Sequence, residues 1–248
     1  MNEVGNVLVA APVYDGKDYC MDRFIDQMLD FTYNRYDVAL VDTSEDPEYH
    51  KNRLPTEFTT HLQPMGTPQE NVTAAQNLLR RLFLAGPWEW YFSLENDNFV
   101  PANIIEYFLC HQYPVHAMTY PLREAEQLTY CLGGYQMHTD GVTLTKHMQH
   151  MKMAPAFAWM EGVCKPINQY LHGDFYGCAA GLGCCMIHRS VMEQITFAIE
   201  HGQRHFSDSF FWRDVEKKGI TAYLDTRFTV EHDVTGRTYK PHLEALIA

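Results

Sequence analysis

Four consecutive polar residues, Glu95-Asn96-Asp97-Asn98, follow directly on Trp88-Glu89-Trp90-Tyr91-Phe92-Ser93-Leu94, an aromatic run with the propensity of a buried strand. Carboxylates at the carboxyl end of such a strand lose hydration and need something positive to compensate them. A divalent cation that also bridges two phosphates is the commonest compensation there, and oxygen ligands favour Mg²⁺ or Mn²⁺. Asn and Asp also dominate turns on conformational grounds, so the motif alone reads either as a metal-binding edge or as a turn.

Two further residues have a chemical and a structural reading side by side. Asp208, with Ser207 at the start of a helical pattern, suits a capping carboxylate or a general base held near a cleft. His232, between Glu231 and Asp233, suits an ordinary satisfied histidine or an imidazole ligand to Mn²⁺. The glycine-rich stretch 177–183 invites comparison with a phosphate loop, but no GK[ST] follows it and GxGxxG is absent. Close backbone packing, or backbone approach to a ligand, is the reading those glycines support. His201 and His205 are spaced for one helical face, but Gly202 between them points to a structural pair. The seven cysteines include no CxxC pair or Cys/His ladder and read as buried, reduced thiols, the adjacent Cys184 and Cys185 among them.

The elements that must position these residues alternate. Val7-Leu8-Val9-Ala10-Ala11 is a short apolar run of the kind a central parallel strand shows, ending in a loop at Pro12-Val13-Tyr14-Asp15-Gly16. Helical spacing of Met21, Phe24, Ile25, Met28 and Leu29 follows, then a second apolar run, 38–41, ending at Asp42. This βαβ unit predicts a parallel sheet with right-handed crossovers, whose ligands gather beyond the carboxyl ends of the strands. After a polar stretch, 43–60, Thr67-Pro68 announces a helix over 69–84 that Gly86-Pro87 stops. A helix from Pro101 to Leu109 and strands over 115–120 and 184–187 continue the pattern. Helices over 190–199 and 207–218, the latter closed by Gly219, and a strand over 220–224 complete it. Periodicity is poor between 121 and 176, where Tyr130, Tyr135, Phe157, Trp159, Tyr170, Phe175 and Tyr176 suit sugar or base stacking as well as they suit a core.

Composition bounds the partners. The 248 residues predict one domain, and 46% hydrophobic with 20% charged residues is the balance of a globular chain. With 19 Lys and Arg against 31 Asp and Glu the formal net charge is −12, so the whole repels polyanions and anionic membranes. Arg80-Arg81 and Lys217-Lys218 read as solvated helix faces. No run approaches the roughly 18 apolar residues of a spanning helix, and the first residues lack a basic segment followed by an apolar one. A cytoplasmic protein without a transmembrane segment is expected.

The order of these pieces, 7–14, 38–42, 71–77, 92–101, 181–189, 207–219 and His232, resembles a glycosyltransferase of the GT-A fold, closest to the family 2 type, across about residues 5–235. The resemblance implies an α/β, Rossmann-like GT-A fold with a mostly parallel central sheet flanked by helices. It implies a single domain over 1–248, with a nucleotide-sugar-binding half (1–120) and an acceptor-binding half (121–248). Carried to this sequence, it places Pro12 and Tyr14 in a nucleobase pocket and Asp42 on the base or ribose. Glu95-Asn96-Asp97 stands for the family's DxD motif, with Glu95 near the ribose and Asp97 on a Mn²⁺ or Mg²⁺ ion that His232 completes. Asp208 takes the place of the base that deprotonates the acceptor. Gln76, before Asn77, joins the donor site where many members carry an arginine, and Ser207-Asp208 replaces an acidic pair.

The implied activity is metal-dependent, hexosyltransferase-type transfer of a sugar from a nucleotide-sugar, a UDP-sugar first, to a hydroxyl acceptor. The acceptor is left open among a saccharide, a lipid-linked glycan, a protein and a modified nucleic-acid base. Two alternatives stand beside it: a nucleotidyltransferase on a related α/β scaffold, and a non-catalytic nucleotide-sugar-binding protein. The first needs a basic, glycine-rich loop near the first strand to hold a triphosphate, and Ala11-Pro12-Val13-Tyr14-Asp15-Gly16-Lys17 does not supply one.

Overall fold

The structure is a computed structural model, described for residues 5–124, 127–130, 164–166, 181–200, 206–234 and 237–239. Its centre is an eight-stranded sheet built from β1 (Val7–Val13), β2 (Tyr36–Asp42), β3 (Thr59–His61), β4 (Trp90–Leu94), β6 (Val115–Thr119), β9 (Cys164–Pro166), β10 (Cys184–His188) and β11 (Ala222–Thr229). Their spatial order is β3-β2-β1-β4-β10-β6-β11-β9. The pairings of β1 with β2 and β4, of β2 with β3 and of β6 with β11 are parallel. The strands β10 and β9 run against their neighbours. The sheet is therefore the mostly parallel one expected. From β1 the chain goes first outward to β2 and later, on the other side, to β4; ligand crevices in α/β sheets open at that kind of reversal.

Side chains alternate across β1, and each face buries its own set. Val7, Val9, Ala11 and Val13 pack with Met21, Phe24 and Met28 of α1 (Met21–Leu29) and with Ile104, Ile105 and Phe108 of α4 (Ile104–His111). On the other face, Leu8 and Ala10 join Ala75, Leu79 and Phe83 of α3 (Pro68–Ala85) and Val191 and Met192 of α5 (Arg189–Met192). Phe211, Trp212 and Val215 of α6 (Ser207–Lys217) complete that face. A capping box starts α3: Thr67 Oγ1 accepts from the Glu70 N–H, and the Glu70 carboxylate accepts from the Thr67 N–H.

Several boundaries differ from expectation, each for a local reason. Strand β1 continues through Pro12, which is tolerated because β4 pairs β1 only as far as Ala10, leaving Pro12 with β2 alone. The polar stretch after Asp42 contains α2 (Pro47–Arg53), with Asp46 as its cap and Pro47 in its first turn, and then β3. The helix expected over 190–199 stops after Met192 because the Asn77 side chain takes the backbone further on. Asn77 Oδ1 accepts from the Phe197 N–H (3.2 Å) and Nδ2 donates to the Phe197 carbonyl (2.7 Å). The last strand of the sheet runs over Ala222–Thr229, later and longer than 220–224. Gly219, at φ 66°, ends α6 in the left-handed conformation as expected. Arg80 is not simply solvated: its Nε donates to the Met192 carbonyl (2.7 Å). Cys184 and Cys185 are buried free thiols. His201, His205, residues 177–180 and, of the aromatics between 121 and 176, all but Tyr130 lie outside the described residues.

Arg189 closes the carboxyl end of α3. Its guanidinium donates to the carbonyls of Phe83, Leu84, Gly86 and Trp88 at 2.6–3.2 Å, and lies 4.9 Å from the Phe83 ring centroid. Arg189→Met removes all four of these donations, leaving the Phe83 carbonyl only the Gly86 N–H (3.2 Å), and is expected to cost about 3 kcal/mol of unfolding free energy. At roughly 2–4 °C per kcal/mol for a chain of this size, Tm falls by about 6–12 °C. Thermal melts followed by circular dichroism check this, and a fall below about 2 °C rejects the capping role.

Candidate active site

The turn after β4 is fixed at both ends. Glu95 N–H donates to the Gly183 carbonyl (2.9 Å), and the Asn98 N–H donates back to the Glu95 carbonyl (3.0 Å). Gly183 is required: a Cβ there would lie 2.4 Å from Asn98 Nδ2 and 2.8 Å from the Tyr120 hydroxyl. The chain then enters β5 (Asn98–Phe99), which pairs antiparallel with β12 (Glu231–Val234) in a small second sheet completed by β13 (Arg237–Tyr239). His232 lies opposite Asn98, and the Asp233 N–H donates to the Asp97 carbonyl (2.8 Å). That register puts His232 Nε2 3.2 Å from Asp97 Oδ2, both residues buried. The acidic motif and the distant histidine are thus brought into contact.

A third group, absent from the sequence reading, joins them. Lys17, in the 3₁₀ segment Asp15–Cys20 between β1 and α1, places Nζ 2.8 Å from Asp97 Oδ2. Burial opposes the lysine's charge, but the carboxylates of Asp97 and Glu95 outweigh it and raise the ammonium above its ordinary range. Burial likewise pushes the Asp97 carboxyl upward, but the hydrogen bond from His232 and the charge of Lys17 prevail, holding it below the usual aspartate value. Glu95 moves the other way. Burial raises its carboxyl, Asp97 and Asp208 raise it further, and Lys17 and His232 only partly offset them. Two carboxyls two residues apart are thereby driven in opposite directions, a pattern typical of functional clefts.

Asp208 bears on this cluster from α6. It occupies the first turn with Phe206 as the cap residue, and its Oδ1 accepts from the Ser209 N–H (2.7 Å). The neighbouring Ser207 hydroxyl donates to Gln76 Oε1, which ties the start of α6 to α3. Gln76 is buried in that contact, so its carbonyl oxygen is engaged within the protein.

The remaining predicted residues form a second group at the ends of β1 and β2. Tyr14 is exposed just past β1, with Pro12 half-buried before it. Asp42 is fully buried: Oδ1 accepts from the Ser44 N–H (3.0 Å) and hydroxyl (2.5 Å), and Oδ2 lies 3.2 Å from His61 Nδ1. Ser44 Oγ accepts from the Asp15 N–H (2.9 Å), which ties this group to the segment carrying Lys17. His61 and Lys17 are the residues the sequence reading missed; a lone lysine in the loop after the first strand was the available signal for one of them.

Asp97 and His232 are the groups able to hold a divalent ion. The set is short, and among the described residues no cluster of three or more His, Cys, Asp or Glu side chains is arranged around one point. It nonetheless fits an ion that shares its shell with phosphate, because such sites use one or two carboxylates and leave the rest to phosphate oxygens and water. Asp97 Oδ1 is buried without a hydrogen-bond partner, as are Asn96 Nδ2 and Asn98 Oδ1 in the same turn.

No protein-family model and no curated protein matches the sequence. Solved structures do. S. aureus TarS matches with TM-score 0.52 at 10% identity, over 91% of this chain and 36% of that one. Residues 1–349 of TarS, solved with UDP-GlcNAc, match with TM-score 0.51 at 10% identity, over 91% and 57%. The mannosyltransferase PcManGT from Pyrobaculum calidifontis, solved with GDP-Man and Mn²⁺, matches with TM-score 0.49 at 14% identity, over 92% and 57%. The chain spans less than two thirds of the length of each. The likeness to TarS and the strand order together show the GT-A fold. Among the described residues no helix is long and apolar enough to cross a membrane.

Proposed function

We propose that the chain is a metal-dependent glycosyltransferase moving a sugar from a nucleotide-sugar to an acceptor hydroxyl. The observation that carries this reading is the meeting of Asp97, His232, Glu95 and Lys17 at the carboxyl ends of the strands, with Asp208 close enough to act on Glu95 electrostatically. A UDP-sugar is the donor we favour; TarS, which shares the fold, has been solved with UDP-GlcNAc and with UDP.

In this reading residues 1–120 hold the donor and 121–248 the acceptor. Pro12, Tyr14 and Asp42 face the base and ribose, Glu95 the ribose, and Gln76 supports the donor side. Asp97 and His232 hold Mn²⁺ or Mg²⁺, which when bound offsets charge on the departing diphosphate. Asp208 accepts the proton of the acceptor hydroxyl as its oxygen bonds to the sugar's anomeric carbon and the bond to the diphosphate breaks. Lys17 supplies a positive charge where negative charge builds up.

A thermal-shift screen of nucleotide-sugars with Mn²⁺ or Mg²⁺ tests the reading. A donor at about 100 times its Kd adds about 2.7 kcal/mol, a rise of roughly 5–10 °C at this size. No shift with any donor rejects it. Pyrophosphate rather than nucleoside diphosphate as product identifies a nucleotidyltransferase, and tight UDP binding without turnover identifies a sensor.

A further inference from the structure

The charge that the proposed function gives Lys17 already stands, in this structure, at the place assigned to the metal. We propose that the Lys17 ammonium is the site's resident cation, which occupies Asp97 Oδ2 in the free protein and competes with the divalent ion for it. The inference rests on the assignment of Asp97 and His232 as ion ligands.

Three observations carry it. The same oxygen, Asp97 Oδ2, is 2.8 Å from Lys17 Nζ and 3.2 Å from His232 Nε2, so the ammonium and the imidazole crowd one half of the carboxylate. The other half, Oδ1, is buried without a partner, as are Asn96 Nδ2 and Asn98 Oδ1 of the same turn. The turn is therefore built to receive more than the lysine gives it. Finally, the Lys17 side chain is 24% exposed against 7% for Asp97 and His232, so it is the outermost member of the trio.

The lysine is suited to leaving. An ammonium is a point charge on a flexible four-carbon stem, without the planar fork that locks an arginine onto a carboxylate. Its backbone, at φ −111° and ψ 24°, departs from helical values inside the 3₁₀ segment. Without an ion, Lys17 compensates buried Asp97 and half-buried Glu95, a pair that would otherwise be expensive to ionise together. An ion entering alone must displace it. An ion entering with a diphosphate meets less resistance, because the displaced ammonium then has an anion to face. Ion and nucleotide should accordingly favour each other's binding, and by the same factor in both directions.

The test is Mn²⁺ binding by electron paramagnetic resonance on the whole chain, wild type against Lys17→Met, with and without UDP. The expected result is Mn²⁺ bound at least about tenfold more tightly by Lys17→Met when UDP is absent, about 1.4 kcal/mol, with a smaller gain on adding UDP than the wild type shows. Equal Mn²⁺ affinities overturn the proposal. Should Lys17→Met fail to fold for want of a counter-charge, the comparison is made in a background that needs less of one: Lys17→Met/Glu95→Gln against Glu95→Gln, with the same tenfold ratio expected and equality again overturning it. UDP binding, followed by tryptophan fluorescence, reads the donor assignment separately. Loss of UDP binding with the tenfold ratio intact removes the donor but upholds competition, whereas UDP binding with equal Mn²⁺ affinities removes competition alone.

Discussion

Replacing Asp97 with alanine is expected to slow release of the nucleoside diphosphate by about 10³-fold. Losing one preorganised group that stabilises transition-state charge costs roughly 10²–10³ in rate, and Asp97 belongs at the upper end because it does two things. It is the carboxylate proposed to hold the ion, and it orders both Lys17 and His232 through one oxygen. Asp97→Asn separates the two effects, since it keeps the volume and an acceptor oxygen while removing the charge. Product release assayed with saturating Mn²⁺, alongside thermal melts of both variants, decides the matter; full activity in folded Asp97→Ala eliminates the metal assignment. Acidification supplies a check independent of turnover. Because the folded-state carboxyl lies below its ordinary value of 3.8, its contribution to stability is fully present above that pH and is lost as pH falls through the lower folded value. The difference in urea midpoint between wild type and Asp97→Asn should therefore shrink below about pH 4.

Asp208→Asn is expected to lower the transfer rate by about 10²–10⁴-fold while leaving UDP affinity nearly unchanged. The substitution is conservative for the fold. Asp208 Oδ1 accepts from the Ser209 N–H, and an asparagine oxygen can accept the same hydrogen bond. The contact that ties α6 to α3 belongs to Ser207 and Gln76 and is untouched. What disappears is the negative charge that, on the proposed assignment, takes the proton from the acceptor. Single-turnover measurements at saturating donor isolate that step, and an unchanged rate would move the base to another residue.

How much of this was legible beforehand depended on whether the controlling interaction was local. The helix α3 was readable because Thr67, Pro68 and Glu70 write its start in adjacent positions. The turn at Glu95 to Asn98 was readable because a buried strand ending in four polar residues states a solvation problem that must have an answer. The run of β10 was found but its direction was not, since a continuous apolar segment looks alike either way. The short α5 shows the opposite limit: the apolar spacing beyond Met192 is helical, but a side chain 120 residues away, Asn77, claims the Phe197 backbone. Lys17 escaped for the same kind of reason. Its meaning comes from Asp97, which it meets only after β1, β4 and the small sheet are assembled.

Of those assemblies, the pairing of β5 with β12 has the longest reach. Asp97 and His232 are joined by a two-residue strand and its partner from far along the chain, a closure whose entropic cost must be met before its contacts give anything back. During synthesis, β1, β2 and β4 can emerge and collapse while the histidine is still inside the ribosome. A nascent chain at that stage has its acidic turn and its lysine, but not its imidazole. On the proposed assignment, the competence to capture an ion therefore waits for His232 to emerge, long after the acidic turn has been made.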